Sequence, residues 1–202
     1  MNGTAPADSF SAAERRLLAP ARRVLRMIYA PVVWPLARLG VPPNAVSLTQ
    51  IPLAVATAVL LPTQPRLAFA LFVATLALDG VDGALARATG RSSRFGAFID
   101  QYADHAREVI VVAGLAAHGA LHPSVAVLYA LLYPGLNVTL HVCNTHGVAV
   151  PFAVKSYLTF YPALFLYLWF GTNLLDAAGT LTVGFMAAGV ANGVWRLRRA
   201  MD

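Results

Sequence analysis

Four aspartates interrupt an otherwise apolar part of the sequence, namely Asp79, Asp82, Asp100 and Asp104. Spacings of three and four residues place side chains on one face of a helix. Two helices joined by the short connection 88–94 would therefore bring the four carboxylates together. Carboxylates buried together repel one another unless a cation holds them, and oxygen ligands favour Mg²⁺, Mn²⁺ or Ca²⁺. The spacing predicts a divalent metal site, and two bridged ions would suit chemistry at phosphate.

Small residues and an arginine accompany the aspartates. Gly83, Ala86 and Gly96 lie on the same two helical stripes, where they leave open space beside the backbone. Arg87 adds a fixed positive charge next to Ala86. A nucleotide diphosphate fits this combination, because cations bind its pyrophosphate while its base or ribose lies against the small residues.

The composition is that of a membrane protein. Of the 202 residues, 58% are hydrophobic and 12% are charged, and the mean hydropathy is +0.63. A chain of this length has room for about six spans of ~20 residues, so we expect a single membrane domain over 1–202. Cys143 has no second cysteine to pair with, and no cleaved signal peptide is expected at the N-terminus.

Apolar runs separated by proline, glycine and charged residues predict an all-α integral membrane protein with six transmembrane helices over about 45–197. The predicted spans are 45–61, 67–87, 95–117, 124–141, 150–170 and 174–197. The aspartates then lie where the second and third spans meet their connecting loop. Asn44 and Ser47 are candidate caps for the first span.

The basic residues favour six spans with both termini in the cytoplasm, because positive charge is retained on the cytoplasmic side of short loops. With this orientation Arg66 is external, Arg107 lies within a span, and the other basic residues are cytoplasmic: Arg15, Arg16, Arg22, Arg23, Arg26, Arg38, Arg87, Arg91, Arg94, Lys155, Arg196, Arg198 and Arg199. The net charge of +6 is explained by topology and anionic lipid, so nucleic acid is not an expected partner. We expect an inner or plasma membrane protein whose aspartates face the cytoplasm.

Ahead of the first span, residues 12–40 have helical periodicity but too many arginines to cross a bilayer. Their apolar side chains share one face and their arginines the other. We interpret this segment as an amphipathic interfacial helix, with Tyr29 and Trp34 at the level of the headgroups. The simpler alternative is a basic tail that only fixes the topology.

The aspartate region matches the pattern D-x2-D-G-x2-A-R-x8-G-x3-D-x3-D at every position from Asp79 to Asp104. In this it resembles the CDP-alcohol phosphotransferase family, also called CDP-alcohol phosphatidyltransferases. The similarity extends to the basic N-terminus, to the entry GVPPNAVSLT into the first span and to the six-span plan. It implies a metal-dependent enzyme of phospholipid biosynthesis. Such an enzyme transfers a substituted phosphate from a CDP-linked donor, usually CDP-diacylglycerol, to an alcohol and releases CMP.

The family's functional residues carry over onto the matching positions of this sequence. The resemblance assigns two Mg²⁺ or Mn²⁺ ions to Asp79, Asp82, Asp100 and Asp104. It implies that Asp104 is also the general base that deprotonates the acceptor hydroxyl. It assigns the CDP donor to Asp79, Asp82, Gly83, Ala86, Arg87 and Gly96.

The sequence leaves the acceptor alcohol open. The stretch TGRSSRFGAFID is similar to bacterial phosphatidylinositol-phosphate synthases, but the second half of the chain lacks basic residues that those enzymes supply for the acceptor's phosphate. Inositol phosphate, glycerol 3-phosphate, serine and other polyols all remain candidates. The candidate acceptor residues are Arg91, Arg94, His141, His146 and Lys155.

Other polar and small residues in the spans have structural interpretations. Arg107 and Glu108 predict an internal ion pair, and His105 is expected to face a neighbouring helix or the lipid boundary. Gly189 and Gly193 form a G-x-x-x-G pair, which allows close packing within the bundle or between subunits. The family resemblance implies a homodimer.

Other classes of membrane protein also bury acidic residues. A metal-ion or substrate transporter would do so, and the prolines at 134, 151 and 162 would suit its interrupted helices. That alternative leaves the Gly83, Ala86 and Arg87 pattern unexplained. A polyprenyl-transferring enzyme has a different aspartate spacing, and a non-catalytic scaffold needs no such pattern.

Overall fold

The computed structural model describes residues 28–151 and 153–201, and within these ranges all regular structure is helical. A helical segment over 28–38 is labelled α1. The helices that follow are α2 Pro43–Leu60, α3 Pro65–Ala88, α4 Arg94–Ala117, α5 Pro123–Thr145, α6 Ser156–Phe170 and α7 Leu175–Met201. The first part of the predicted interfacial helix, with Arg15, Arg16, Arg22, Arg23 and Arg26, lies outside the described residues.

The helices α2 to α7 occupy the six places where spans were predicted. The largest difference is at α6, which begins at Ser156 and not near Val150. Pro151 explains part of this delay, because the residue before a proline is biased away from the helical conformation. Among the described helices, α2, α3, α5 and α7 are long and apolar enough to cross a membrane.

Two helices do not meet that description, for different reasons. α4 has 24 residues but carries the charged side chains of Arg94, Asp100, Asp104, Arg107 and Glu108. α6 is almost entirely apolar but has only 15 residues. Over residues 28–151 and 153–201 the fold is therefore all-helical, with four candidate spans.

The helices pack as a closed ring. α2 lies between α3 and α4, α5 lies between α4 and α7, and α6 lies between α3 and α7. α3 and α4 also touch directly. The two helices that carry the aspartates are therefore held together both by their own contact and by their shared neighbour α2.

A short connection also keeps α3 and α4 together. After α3 ends at Ala88, Gly90 has a φ of +69°, a left-handed conformation that ends helices and favours glycine. Ser93 then caps α4, because its Oγ accepts a hydrogen bond of 2.9 Å from the backbone N–H of Gly96. The start of α4 is thus fixed only a few residues beyond the end of α3.

α1 packs on α2 and α3 through Val33, which contacts a cluster formed by Val46, Val81 and Leu85. The ring of Tyr29 lies over Gly80, where a Cβ atom would come within 2.3 Å of that ring. Trp34 is 59% exposed, and the guanidinium of Arg38 lies 3.5 Å from the centre of its ring.

The G-x-x-x-G pair of α7 faces α5 of the same chain. A Cβ atom on Gly189 would lie 2.8 Å from Leu136 Cδ1, and one on Gly193 would lie 2.5 Å from Thr139 Cγ2. The sequence left open whether these glycines pack within the bundle or between subunits. In the structure they pack within the bundle.

Candidate active site

The four aspartates come from adjacent turns of α3 and α4. The carboxyl groups of Asp79 and Asp104 lie within hydrogen-bonding reach of each other. Those of Asp82 and Asp100 form a second such pair. The two helices thus bring all four predicted acids to one place, as two facing pairs.

Asp82 is the most enclosed of these acids, with 3% of its surface exposed. Its Oδ2 accepts a 2.6 Å hydrogen bond from Ser47 Oγ on α2. The prediction that Asn44 or Ser47 caps α2 is wrong, because Pro42 is the N-cap and no side chain caps this helix. Ser47 lies in the second turn, which directs its hydroxyl towards Asp82.

Within the described residues, no group of three or more His, Cys, Asp or Glu side chains is already arranged to hold a metal ion. The donor set nevertheless fits a hard divalent cation, because it consists of carboxylate oxygens. Asp100 Oδ1 is buried and has no hydrogen-bond partner in the described part of the chain. A buried carboxylate oxygen without a donor is a suitable ligand for such a cation.

A cavity of about 410 Å³ opens beside Asp82 and Asp100, between the starts of α2 and α4 and the end of α3. It is lined by Pro43, Asn44, Ser47, Asp82, Gly83, Ala86, Arg87, Arg91, Ser92, Ser93, Arg94, Gly96, Ala97 and Asp100. Asp79 and Asp104 do not line it. The predicted donor residues other than Asp79 therefore share one cavity with two of the predicted acceptor residues, Arg91 and Arg94.

The two glycines of this cavity are close to polar atoms. A Cβ atom on Gly96 would lie 3.2 Å from both Asn44 Oδ1 and Ser93 Oγ. One on Gly83 would lie 3.3 Å from Arg87 Nη1. Side chains at these positions would take up space that a ligand could otherwise use.

The remaining predicted acceptor residues do not line the cavity. His146 is exposed just beyond α5, and its Nδ1 lies 2.9 Å from the carbonyl oxygen of Val142. His141 is half-buried in α5, which continues to Thr145. Lys155 is the N-cap of α6, is 9% exposed, and lies near enough to His105 for the two to interact electrostatically. The structure thus separates the five candidate residues into two groups.

A polar network lies behind Asp104. Arg107 Nη1 lies 2.7 Å from Asp104 Oδ1 and donates a 2.6 Å hydrogen bond to Gln50 Oε1. The predicted ion pair with Glu108 is confirmed, at 3.7 Å. Of the two surroundings expected for His105, the structure shows a neighbouring helix, because its ring meets that of Tyr133 on α5 at a centroid distance of 5.6 Å.

Sequence reasoning missed the contribution of α2 to this site. Ser47 and Gln50 are buried polar residues in a span that is otherwise apolar, and they lie three residues apart. Ala54 and Thr57 continue the same buried face. This polar face could have predicted that α2 contributes to the site, since a polar face on a membrane helix points towards a polar interior.

α1 also approaches the acids. Burial, together with the nearby carboxylate of Asp79, raises the pKa of the Tyr29 hydroxyl. The phenol of Tyr29 therefore stays neutral, and its ring packs on Gly80 next to Asp79.

Comparison with known proteins agrees with the motif. Residues 41–195 match the family model for CDP-alcohol phosphatidyltransferase. The archaetidylinositol phosphate synthase of Pyrococcus horikoshii is 33% identical over 94 residues, which are 46% of this chain and 50% of that protein. The alignment thus spans about half the length of this relative. The matched residues 41–195 include all four aspartates and the whole cavity. The chain therefore belongs to the CDP-alcohol phosphatidyltransferase family, whose members transfer phosphate-containing groups.

Proposed function

We propose that this enzyme transfers a phosphatidyl group from CDP-diacylglycerol to a hydroxyl group of a small polar alcohol and releases CMP. The observation that carries the proposal is the 410 Å³ cavity, which joins Asp82 and Asp100 to Gly83, Ala86, Arg87 and Gly96. Its volume falls in the range of about 300–1,000 Å³ typical of small-molecule sites. Membership of the family supports the same reaction class.

In this proposal the four aspartates hold two Mg²⁺ or Mn²⁺ ions. The ions would withdraw charge from the pyrophosphate of the donor. Arg87 supplies further positive charge for these phosphates, while Gly83, Ala86 and Gly96 leave room for the nucleoside. The paired arrangement of the carboxyl groups and the unpartnered Asp100 Oδ1 support these roles.

Asp104 is the proposed general base. It takes the proton of the acceptor hydroxyl as that oxygen forms a bond to the phosphorus of the phosphatidyl group. The bond between this phosphorus and the oxygen of CMP breaks, and CMP leaves with the electron pair. The proton then passes from Asp104 to solvent. The side chain of Asp104 is 28% exposed, which is compatible with access for an acceptor.

The acceptor we would test first carries a phosphate. Arg91 and Arg94 line the cavity and provide positive charge for such a group. The name of the Pyrococcus horikoshii relative favours inositol phosphate over glycerol 3-phosphate. His141, His146 and Lys155 are weaker proposals, since none of them lines the cavity.

We further propose six spans, cytoplasmic termini, a cytoplasmic active site and a homodimer in the inner or plasma membrane. The distribution of basic residues supports the orientation, since Arg66 alone is placed outside. Exposed apolar side chains such as Val59, Leu131 and Phe170 supply a surface for lipid.

Release of CMP tests the proposal. Purified protein would be given CDP-diacylglycerol, Mg²⁺ and one alcohol at a time from a panel of inositol phosphate, glycerol 3-phosphate, inositol and serine. We expect CMP release with a phosphorylated acceptor and none after removal of metal by EDTA. The proposal fails if none of these alcohols elicits CMP from protein that is folded and binds the donor.

A further inference from the structure

Arg107 is a buried charge next to the proposed base. It is 3% exposed in the interior of α4, where a guanidinium requires compensating partners. One of its nitrogens, Nη1, lies 2.7 Å from Asp104 Oδ1 and 2.6 Å from Gln50 Oε1. A single nitrogen therefore joins the carboxylate of Asp104 to a side chain of α2.

The other side of the guanidinium faces Glu108, whose Oε1 lies 3.7 Å from Arg107 Nη2. Glu108 is itself held by two other helices. Its Oε2 accepts a 2.9 Å hydrogen bond from the hydroxyl of Tyr129 on α5, and its Oε1 accepts one from the hydroxyl of Tyr161 on α6. The oxygen of the same Tyr129 hydroxyl is also hydrogen-bonded to Ser156 Oγ, which can donate to it. Arg107 is thus fixed in place by groups from α2, α4, α5 and α6.

The two members of the Arg107 and Asp104 ion pair have different surroundings. Arg107 is enclosed, whereas Asp104 is 28% exposed and lies beside Asp79. A fixed partner behind a more exposed carboxylate restricts the directions in which that carboxylate can point.

Stability alone does not account for this network. Two of its buried donors, Arg107 Nε and Gln50 Nε2, have no hydrogen-bond partner in the described ranges. An unpaired buried donor is destabilising, so an apolar or fully paired arrangement would be more stable. The network therefore keeps a buried guanidinium beside Asp104 at some cost in stability.

On the basis of the proposed role of Asp104, we propose that Arg107 is the positioning residue that orients this base. Engagement of Oδ1 by Arg107 leaves Oδ2 to take the proton of the acceptor hydroxyl. Gln50 and Glu108 hold the guanidinium so that it cannot turn away when the acceptor binds. Arg107 itself contacts neither substrate.

The test compares Arg107→Lys and Arg107→Gln with wild type in lipid nanodiscs. Arg66→Lys is the matched control, because Arg66 is exposed near α3's start and its guanidinium lies 5.6 Å from the ring centre of Trp169. We expect both Arg107 variants to lower kcat by about 10- to 100-fold, with unchanged KM for CDP-diacylglycerol and for the acceptor. Unchanged kcat in a folded Arg107→Gln protein, or a rise in KM alone, would overturn the proposal.

A second measurement does not depend on turnover. A water-soluble carbodiimide labels accessible carboxyl groups, and mass spectrometry locates the label. We expect faster labelling of Asp104 in Arg107→Gln than in wild type, and no change in Arg66→Lys. Equal labelling in wild type and Arg107→Gln would also overturn the positioning role.

These two measurements separate the possible failures. If wild type releases no CMP with any acceptor, the proposed function fails, and the labelling still decides whether Arg107 holds Asp104. If Arg107→Gln does not fold, Gln50→Leu replaces it, because that change removes one anchor of the guanidinium and leaves the ion pair. The same fall in kcat and the same faster labelling are then expected, and their absence overturns the proposal.

Discussion

Ser47 Oγ donates a 2.6 Å hydrogen bond to Asp82 Oδ2, and this bond links the second turn of α2 to the end of α3. Both side chains are buried and both line the cavity. A hydroxyl that donates to a carboxylate fixes the direction of its oxygens. The orientation of one proposed metal ligand therefore depends on a residue outside the aspartate motif.

We predict that Ser47→Ala lowers kcat/KM by about tenfold and raises the Mg²⁺ concentration needed for half-maximal activity. The reason is that Asp82 would lose the hydroxyl donor that α2 supplies and would turn more freely. Ser47→Thr keeps a hydroxyl and should retain most activity. Thr49→Ala is the control, because the hydroxyl of Thr49 bonds to Val46 of its own helix. A Mg²⁺ titration of Ser47→Ala that overlays that of wild type would refute this prediction.

Asp104→Asn should abolish CMP release while leaving the protein folded and able to bind CDP-diacylglycerol. The amide keeps the size of the carboxylate but cannot act as a base at neutral pH. Activity and donor binding would be measured on the same preparation. Asp176→Asn is a matched control at the start of α7, where the side-chain oxygen that accepts from the backbone of His122 is preserved. Full activity of Asp104→Asn would remove its assignment as the base.

The spacing of the aspartates was enough to predict that they meet. Local helix geometry sets the positions of Asp79 and Asp82 on α3 and of Asp100 and Asp104 on α4. Helix geometry alone could not predict that Ser47 and Gln50 of α2 contribute to this site. Whether Ser47 and Gln50 face Asp82 and Arg107 depends on how α2 is rotated against α3 and α4, which is a property of tertiary packing. The buried polar face of α2 indicated a polar neighbour without identifying it.

For the predicted acceptor residues, the sequence grouped side chains that the structure separates. The sequence grouped His141, His146 and Lys155 because all three lie near the predicted cytoplasmic ends of the fourth and fifth spans. The structure extends α5 to Thr145 and buries Lys155 at the start of α6, so these residues no longer share one loop. A grouping based on nearness in sequence depends on where the helices end, and α5 ends about one turn later than predicted.

We predict that Gly96→Val raises the KM for CDP-diacylglycerol by about tenfold or more, with a smaller change in kcat. A Cβ atom at this position would lie 3.2 Å from Asn44 Oδ1 and Ser93 Oγ, so the larger side chain would occupy the cavity. Gly135→Val is the control, because a Cβ atom on Gly135 would meet nothing within 4 Å. An unchanged KM in Gly96→Val would show that the donor does not bind in this cavity.

The packing of Gly193 against Thr139 gives a prediction about stability. Gly193→Ala would place a Cβ atom 2.5 Å from Thr139 Cγ2, and we expect a loss of about 1–3 kcal/mol in the free energy of unfolding. Gly184→Ala on the same helix has open space and should not destabilise. Thermal unfolding in detergent measures both changes.

The methyl group that causes this clash can be removed. Thr139→Ser deletes Cγ2 but keeps the hydroxyl, which donates a 2.7 Å hydrogen bond to Gly135 O. The double variant Gly193→Ala with Thr139→Ser should therefore recover most of the lost stability, and the two changes should be strongly non-additive. Size-exclusion chromatography should show the same oligomeric state for every variant, because Gly193 faces α5 of its own chain. Dissociation of an oligomer by Gly193→Ala, without a change in unfolding temperature, would instead place this glycine between subunits.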